Sequence, residues 1–102
     1  MSGKMIITKT LEQDTLKIAL EGRLDTTSSS ELEEELNSSL DGVNGLVFDF
    51  SKLDYLSSAG LRVILSAHKR MSRQGFMKLC NVNDTVREIF DITGFSDFLT
   101  IE

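Results

Sequence analysis

The chain has one cysteine and one histidine among its 102 residues. A lone thiol closes no intramolecular disulfide, and Cys80, set inside the apolar run from Phe76 to Val82, reads as a small buried hydrophobe rather than a reactive group. Cys80 and His68 together are too few ligands for a zinc site made by the protein alone. A serine hydrolase is excluded on related grounds. The only histidine stands ten residues beyond Ser58, roughly 15 Å along one helix, and Leu56 occupies the place where a nucleophile-elbow turn needs its first glycine. No apolar run approaches the roughly 20 residues of a membrane span, and the N-terminus lacks a signal-peptide core. A cytoplasmic protein with no membrane attachment is therefore expected. Positive charge is also scarce: 11 Lys and Arg stand against 16 Asp and Glu, a net charge of −5. An acidic chain without an aromatic-studded basic stripe is poorly made for nucleic acid, whose binding rests on phosphate contacts. A protein surface is the better expectation for a partner.

What is present fits an ordinary globular domain, 40% hydrophobic and 26% charged, with length enough for one core. Residues 1–102 are read as a single domain, with 1–4 a flexible N-terminus or cloning remnant. Charge is segregated along it. Residues 25 to 54 hold eight acids against one base, Lys52, whereas residues 60 to 80 hold five bases and no acid.

Taken in order, Met5 to Thr10 and Thr15 to Glu21 are β-rich runs around Glu12-Gln13-Asp14, which predicts an antiparallel hairpin. Leu16, Ile18 and Leu20 share one face while Lys17 and Glu21 take the other, so this second strand is covered on one face and lies near a sheet edge. Gly22 to Thr27 is read as leaving the strand for a helix, with Ser28 and Glu31, or Ser30 and Glu33, at capping-box spacing. Leu32, Leu36 and Leu40 give that helix one apolar stripe. Leu46 to Phe50, apolar at all but Asp49, predicts a central parallel strand buried on both faces. A polar turn, Ser51 to Leu56, then leads to a helix from about Ala59 to Gln74. Its wheel sets Gly60, Leu61, Val63, Ile64, Leu65, Ala67 and Met71 in one apolar arc against a basic stripe of Arg62, Ser66, Lys69, Arg70 and Arg73; His68 falls within the apolar arc and reads as a packed core or boundary residue and not a catalyst. Phe76 to Cys80 reads as another strand, Asn83 or Asn81 as the cap of a short helix ended by Gly94, and Phe95 to Ile101 as a packing segment with a short strand. Alternation after the hairpin means an α/β layer fold: a mixed sheet with three to four helices, in the order β1-β2-α1-β3-α2-β4-α3-β5.

Ser57 and Ser58 stand at the mouth of the central helix, just past a strand's carboxyl end, where open α/β sheets gather their sites. The first amides of a helix lack internal partners and carry partial positive charge, so an anion on either serine would be favoured. One reading is that a serine caps the helix and nothing more happens. The other is that a serine is reversibly phosphorylated as a signal.

The segment Asp49-Phe50-Ser51-Lys52-Leu53-Asp54-Tyr55-Leu56-Ser57-Ser58-Ala59-Gly60-Leu61 resembles the signature of the STAS domain, the family of bacterial anti-sigma-factor antagonists. Leu20 to Asp25 and the Ile89 to Phe95 ending are similar to the family as well, so the resemblance covers nearly the whole chain. It implies a non-enzymatic switch that needs no cofactor and no metal. The unphosphorylated protein would bind an anti-sigma factor serine kinase and free the sigma factor. Phosphorylation two residues before the motif glycine, on Ser58, would block binding, and a metal-dependent serine phosphatase would reset it. The family's phosphorylated members commonly carry aspartate just before the acceptor, and Ser57 stands there in this chain, which makes Ser57 the second choice. The expected partner-binding patch is Asp25, Thr26, Ser57, Ser58, Ala59, Gly60, Leu61 and Arg62. The alternatives are a STAS module that senses a nucleotide or lipid without phosphorylation, or a signalling adaptor.

Overall fold

The computed structural model describes residues 5–102, so the expectation for residues 1–4 lies outside the described residues. A two-residue turn joins β1 (Ile6–Glu12) to β2 (Thr15–Leu24) as the expected antiparallel hairpin, with Gln13 at φ 55°. From there β3 (Gly45–Leu56), β4 (Phe76–Cys80) and β5 (Thr100–Ile101) add in parallel, giving one sheet in the order β1-β2-β3-β4-β5. Each crossover moves one strand along and carries a helix: α1 (Thr26–Ser39), α2 (Ser58–Gln74) and α3 (Asp84–Thr93). A uniform direction of travel with a uniform crossover hand puts all three helices over the same face. Accordingly α1 packs on β2, α2 on β3 and β4, α3 on β3, and α1 lies against α2.

Among the described residues no helix covers the opposite face of the sheet, and this corrects the expectation for Leu46 to Phe50. Leu46, Phe48 and Phe50 are buried, but Val47 and Asp49 are half-exposed on the open face. The strand alternates after all; apolar Val47 hid the period. Cys80, paired beside Asp49, is likewise half-buried on the open face and not part of the core. Beneath the helices, Phe48 and Phe50 meet at 5.5 Å between ring centroids, and Phe50 stacks on Phe90 of α3 at 6.4 Å. Leu32 and Leu36, the expected stripe of α1, are buried, as is Leu40 at its C-cap.

Two strands run further than their composition suggests. The stretch Gly22 to Leu24 continues β2, and Ser51 to Leu56, expected as a turn, continues β3; Gly22 pairs with Leu53 and Leu24 with Leu56 across irregular register. A further correction concerns α1, which is capped by Asp25 and starts at Thr26, where a cap at Ser28 or Ser30 was expected. At the C-terminus the packing segment is a 3-10 turn, Phe95–Asp97, before a strand of two residues. His68 is half-buried at the boundary, its ring 5.2 Å from that of Phe98. Gly75 ends α2 where no side chain fits: a Cβ there would lie 1.6 Å from the Asn44 carbonyl oxygen.

Candidate partner-binding site

Parallel neighbours deliver their carboxyl ends to the same edge of a sheet, so the helices that follow β2 and β3 begin side by side. The junction is tied by one hydrogen bond, Ser57 N donating to Leu24 O at 2.9 Å. Asp25 and Ser57, each the residue after a strand end, then cap α1 and α2.

Beyond Asp49, β3 has no β4 beside it, because β4 stops at Cys80. Asparagine side chains take over that edge. Asn81 Nδ2 donates to Asp49 Oδ1 at 3.1 Å, and Asn83 Nδ2 donates to Leu53 O at 2.8 Å while its Oδ1 caps α3 by accepting from Val86 N. The Ser51 amide, with Asn81 helping, holds the Asp49 carboxyl below its ordinary value. The protruding part of β3 is thus held in place by polar contacts, and it carries the start of α2.

The two serines have separate duties. Ser57 is the N-cap, extended at φ −89° and ψ 171°, and its Oγ accepts from Gly60 N at 3.1 Å. Ser58 is the first helical residue and is exposed, and its hydroxyl makes no hydrogen bond among the described residues. The Ser58 and Ala59 amides also have no protein partner there, as expected for a helix start whose one side-chain acceptor serves Gly60. Gly60 lets the helix come this close to the strands. A Cβ on it would stand 2.8 Å from both Leu24 Cγ and Leu56 Cδ1, side chains that are themselves buried.

Asp25 is fixed with similar care. Its Oδ1 accepts from Thr27 N and Ser28 N, each at 3.1 Å, and Ser28 Oγ accepts from Asp25 N at 2.9 Å while donating to Arg23 O at 2.6 Å. The Ser28 amide and hydroxyl, then the Thr27 amide and the nearby Arg23 charge, lower the Asp25 pKa from its ordinary 3.8. At neutral pH a fixed negative charge therefore flanks the serine pair. A depressed folded-state pKa adds stability that is present above the unfolded value, about 3.9, and is lost as pH falls through the folded one. Below about pH 4 the α1 end should loosen. Asp25→Asn, which keeps a capping oxygen, should remove Asp25's share of this acid sensitivity. Urea unfolding of both proteins between pH 3 and 7 checks it: an unchanged pH slope would show that the Asp25 charge does not contribute.

Of the residues expected at the site, Asp25, Thr26, Ser57, Ser58, Ala59 and Arg62 all lie around the paired helix starts. Thr26, Ala59 and Arg62 line a groove of about 390 Å³ between α1 and α2, with Glu33 on one wall and Lys69 on the other. Leu61 is half-buried and Gly60 buried. Sequence reasoning missed Arg23 and Tyr55. The Arg23 guanidinium lies over the Tyr55 ring, 4.1 Å from the centroid, and the ring is 39% exposed. Their cross-strand pairing would have been visible had β2 and β3 been extended to their true ends.

The profile of the STAS domain family matches residues 6–102, and the chain belongs to that family. It is 42% identical to BtrV of Bordetella bronchiseptica over 78 residues, spanning 74% of this chain and 67% of that protein. Identity to the anti-sigma-B factor antagonist of Bacillus subtilis is 28% over 90 residues, covering 87% and 83% of the two chains. Among solved structures, the anti-sigma factor antagonist SpoIIAA in its unphosphorylated form superposes with a TM-score of 0.83 at 20% identity, over 95% of this chain and 88% of that one. Its phosphorylated form gives 0.76 at 19%, over 95% and 91%. The antagonists are regulatory binding proteins and not enzymes. Among the described residues no helix is long and apolar enough to cross a membrane.

Proposed function

We propose that this chain is a cytoplasmic anti-sigma factor antagonist whose unmodified form binds an anti-sigma factor serine kinase and so releases the sigma factor. Phosphorylation of Ser58 ends the association. The kinase moves the γ-phosphoryl group of ATP onto Ser58 Oγ, ADP leaves, and the hydroxyl proton passes to a base of the kinase. A metal-dependent serine phosphatase returns the hydroxyl by hydrolysis. Neither nucleic acid nor membrane is a partner.

The observation that carries this reading is the exposed, unbonded hydroxyl of Ser58 beside a Ser57 already committed to capping. A kinase reaches a free hydroxyl on an exposed helix start, whereas modifying Ser57 would break the contact that holds Gly60 N. The names of the relatives support the partner class. Mass spectrometry of the protein from its source cell, with a pull-down against Ser58→Ala, is the test. A phosphate on Ser58 and capture of a serine kinase are expected. An unmodified protein carrying a retained small molecule would overturn the reading in favour of a ligand sensor.

A further inference from the structure

We infer that Arg62 is the internal counter-charge of phosphorylated Ser58, so that modification removes a basic side chain from the binding patch while it adds an anion. The inference rests on Ser58 being the modified residue.

Ser58 and Arg62 are four residues apart on α2, one turn along the same face, with Cβ atoms about 5–6 Å apart in such a pair. Both are exposed, and Ser58 points away from the core face marked by Gly60, Val63, Ile64, Ala67 and Met71. Arg62 makes no ion pair or side-chain hydrogen bond among the described residues, unlike Arg70, which is held by Asp41, and Arg87, which is held by Asp91. Glu33 lines the same groove from α1, and no ion pair joins it to Arg62. Asp25 is occupied with the amides of α1, and Lys69 is the other base on the groove wall. A phosphate on Ser58 Oγ therefore meets the unpartnered Ser58 and Ala59 amides on one side and one unengaged guanidinium on the other. Arginine matches phosphate oxygens in pairs, which gives the contact a defined geometry.

The functional effect is a change of sign. Before modification the helix mouth shows a neutral hydroxyl with an exposed cation, unpaired among the described residues, one turn away. Afterwards it shows a dianion that has drawn that cation inward.

The test installs phosphoserine at position 58 during synthesis, so no kinase is needed, and follows its second ionisation by phosphorus NMR. With Arg62 present the phosphate should release its proton at a pH lower by about 0.3 unit than in Arg62→Gln, the size an exposed i,i+4 charge pair supports. Arg62→Lys should keep much of that shift. Lys69→Gln, two further turns along, should change nothing. A titration indifferent to Arg62, or equally sensitive to Lys69, overturns the inference. A native protein that never carries phosphate defeats the earlier reading instead, and the two failures are told apart because this experiment supplies the phosphate itself.

Discussion

Phosphoserine at position 58 is expected to weaken the complex with the anti-sigma factor a few hundred-fold, while Ser58→Ala keeps the affinity of the unmodified chain. Phosphate brings roughly −1.5 to −2 charge to the centre of a patch that fitted a hydroxyl. Within the helix that anion is welcome, worth about 0.3–1 kcal/mol at an N-terminus, so the domain stays folded. Across an interface the balance reverses. The dianion must shed water against a surface with no matching cation, at a cost of about 3–4 kcal/mol, which corresponds to the quoted loss of affinity. Asp25 sharpens the effect, since its carboxylate already stands beside the site and remains ionised. Ser58→Glu, with one charge instead of two, should fall in the same direction by a smaller factor. The control is Ser57→Ala, which loses the cap on Gly60 N and about 1 kcal/mol of stability with little change in affinity. Calorimetric titration of the unmodified chain and these four forms against the purified anti-sigma factor measures the affinities. Equal binding by Ser58→Glu and Ser58→Ala would end the charge argument.

How the serines divide their roles was hidden in the sequence, and the reason is tertiary. Either residue suits a helix cap by type. What decides is the bond from Ser57 N to Leu24 O, which holds Ser57 in the extended conformation of a strand end and leaves Ser58 to open the helix. The same concealment affects α1. Ser28 and Glu31 satisfy a spacing rule, but Asp25 also caps well, and the reciprocal contact comes from Ser28 at the third helical position, where a longer acid was expected. Strand ends failed for a simpler cause: Ser51 to Leu56 is polar because β3 there projects past β4, with solvent beside it, and solvated strand looks like turn. Helical periodicity, by contrast, was dependable, although the two-residue period of β3 was hidden by Val47. Leu32 and Leu36, or Val63, Ile64, Ala67 and Met71, declare their helices because burial repeats with the helical turn. The family motif was legible for a related reason: the close packing of Gly60 on Leu24 and Leu56 and the placing of a serine pair beside it are both short-range demands.

Phe50→Ala should cost the fold far more than any change at the site, about 3–5 kcal/mol, yet leave the chemistry of binding alone. Phe50 is fully buried and stands between Phe48 and Phe90, so removing its ring opens a cavity lined by residues of β3 and α3. Those neighbours cannot close in freely, because β3 is fixed on both sides by β2 and β4 up to Asp49, and Asn83 pins Leu53 just beyond. For a domain of this size the loss corresponds to a melting temperature lower by about 15–30 °C. Phe90→Ala should be comparably severe. The double variant should fall short of the sum of the two, since both deletions empty a shared space. Below its own melting range, Phe50→Ala should still bind with near-normal affinity, because Ser57 and Ser58 are set by Leu24, Leu56 and Gly60 and not by the aromatic stack. Thermal unfolding alongside low-temperature affinity separates the two properties. Loss of affinity in a sample shown to be folded would mean that the helix start depends on the aromatic core, and that the site is less locally determined than its hydrogen bonds suggest.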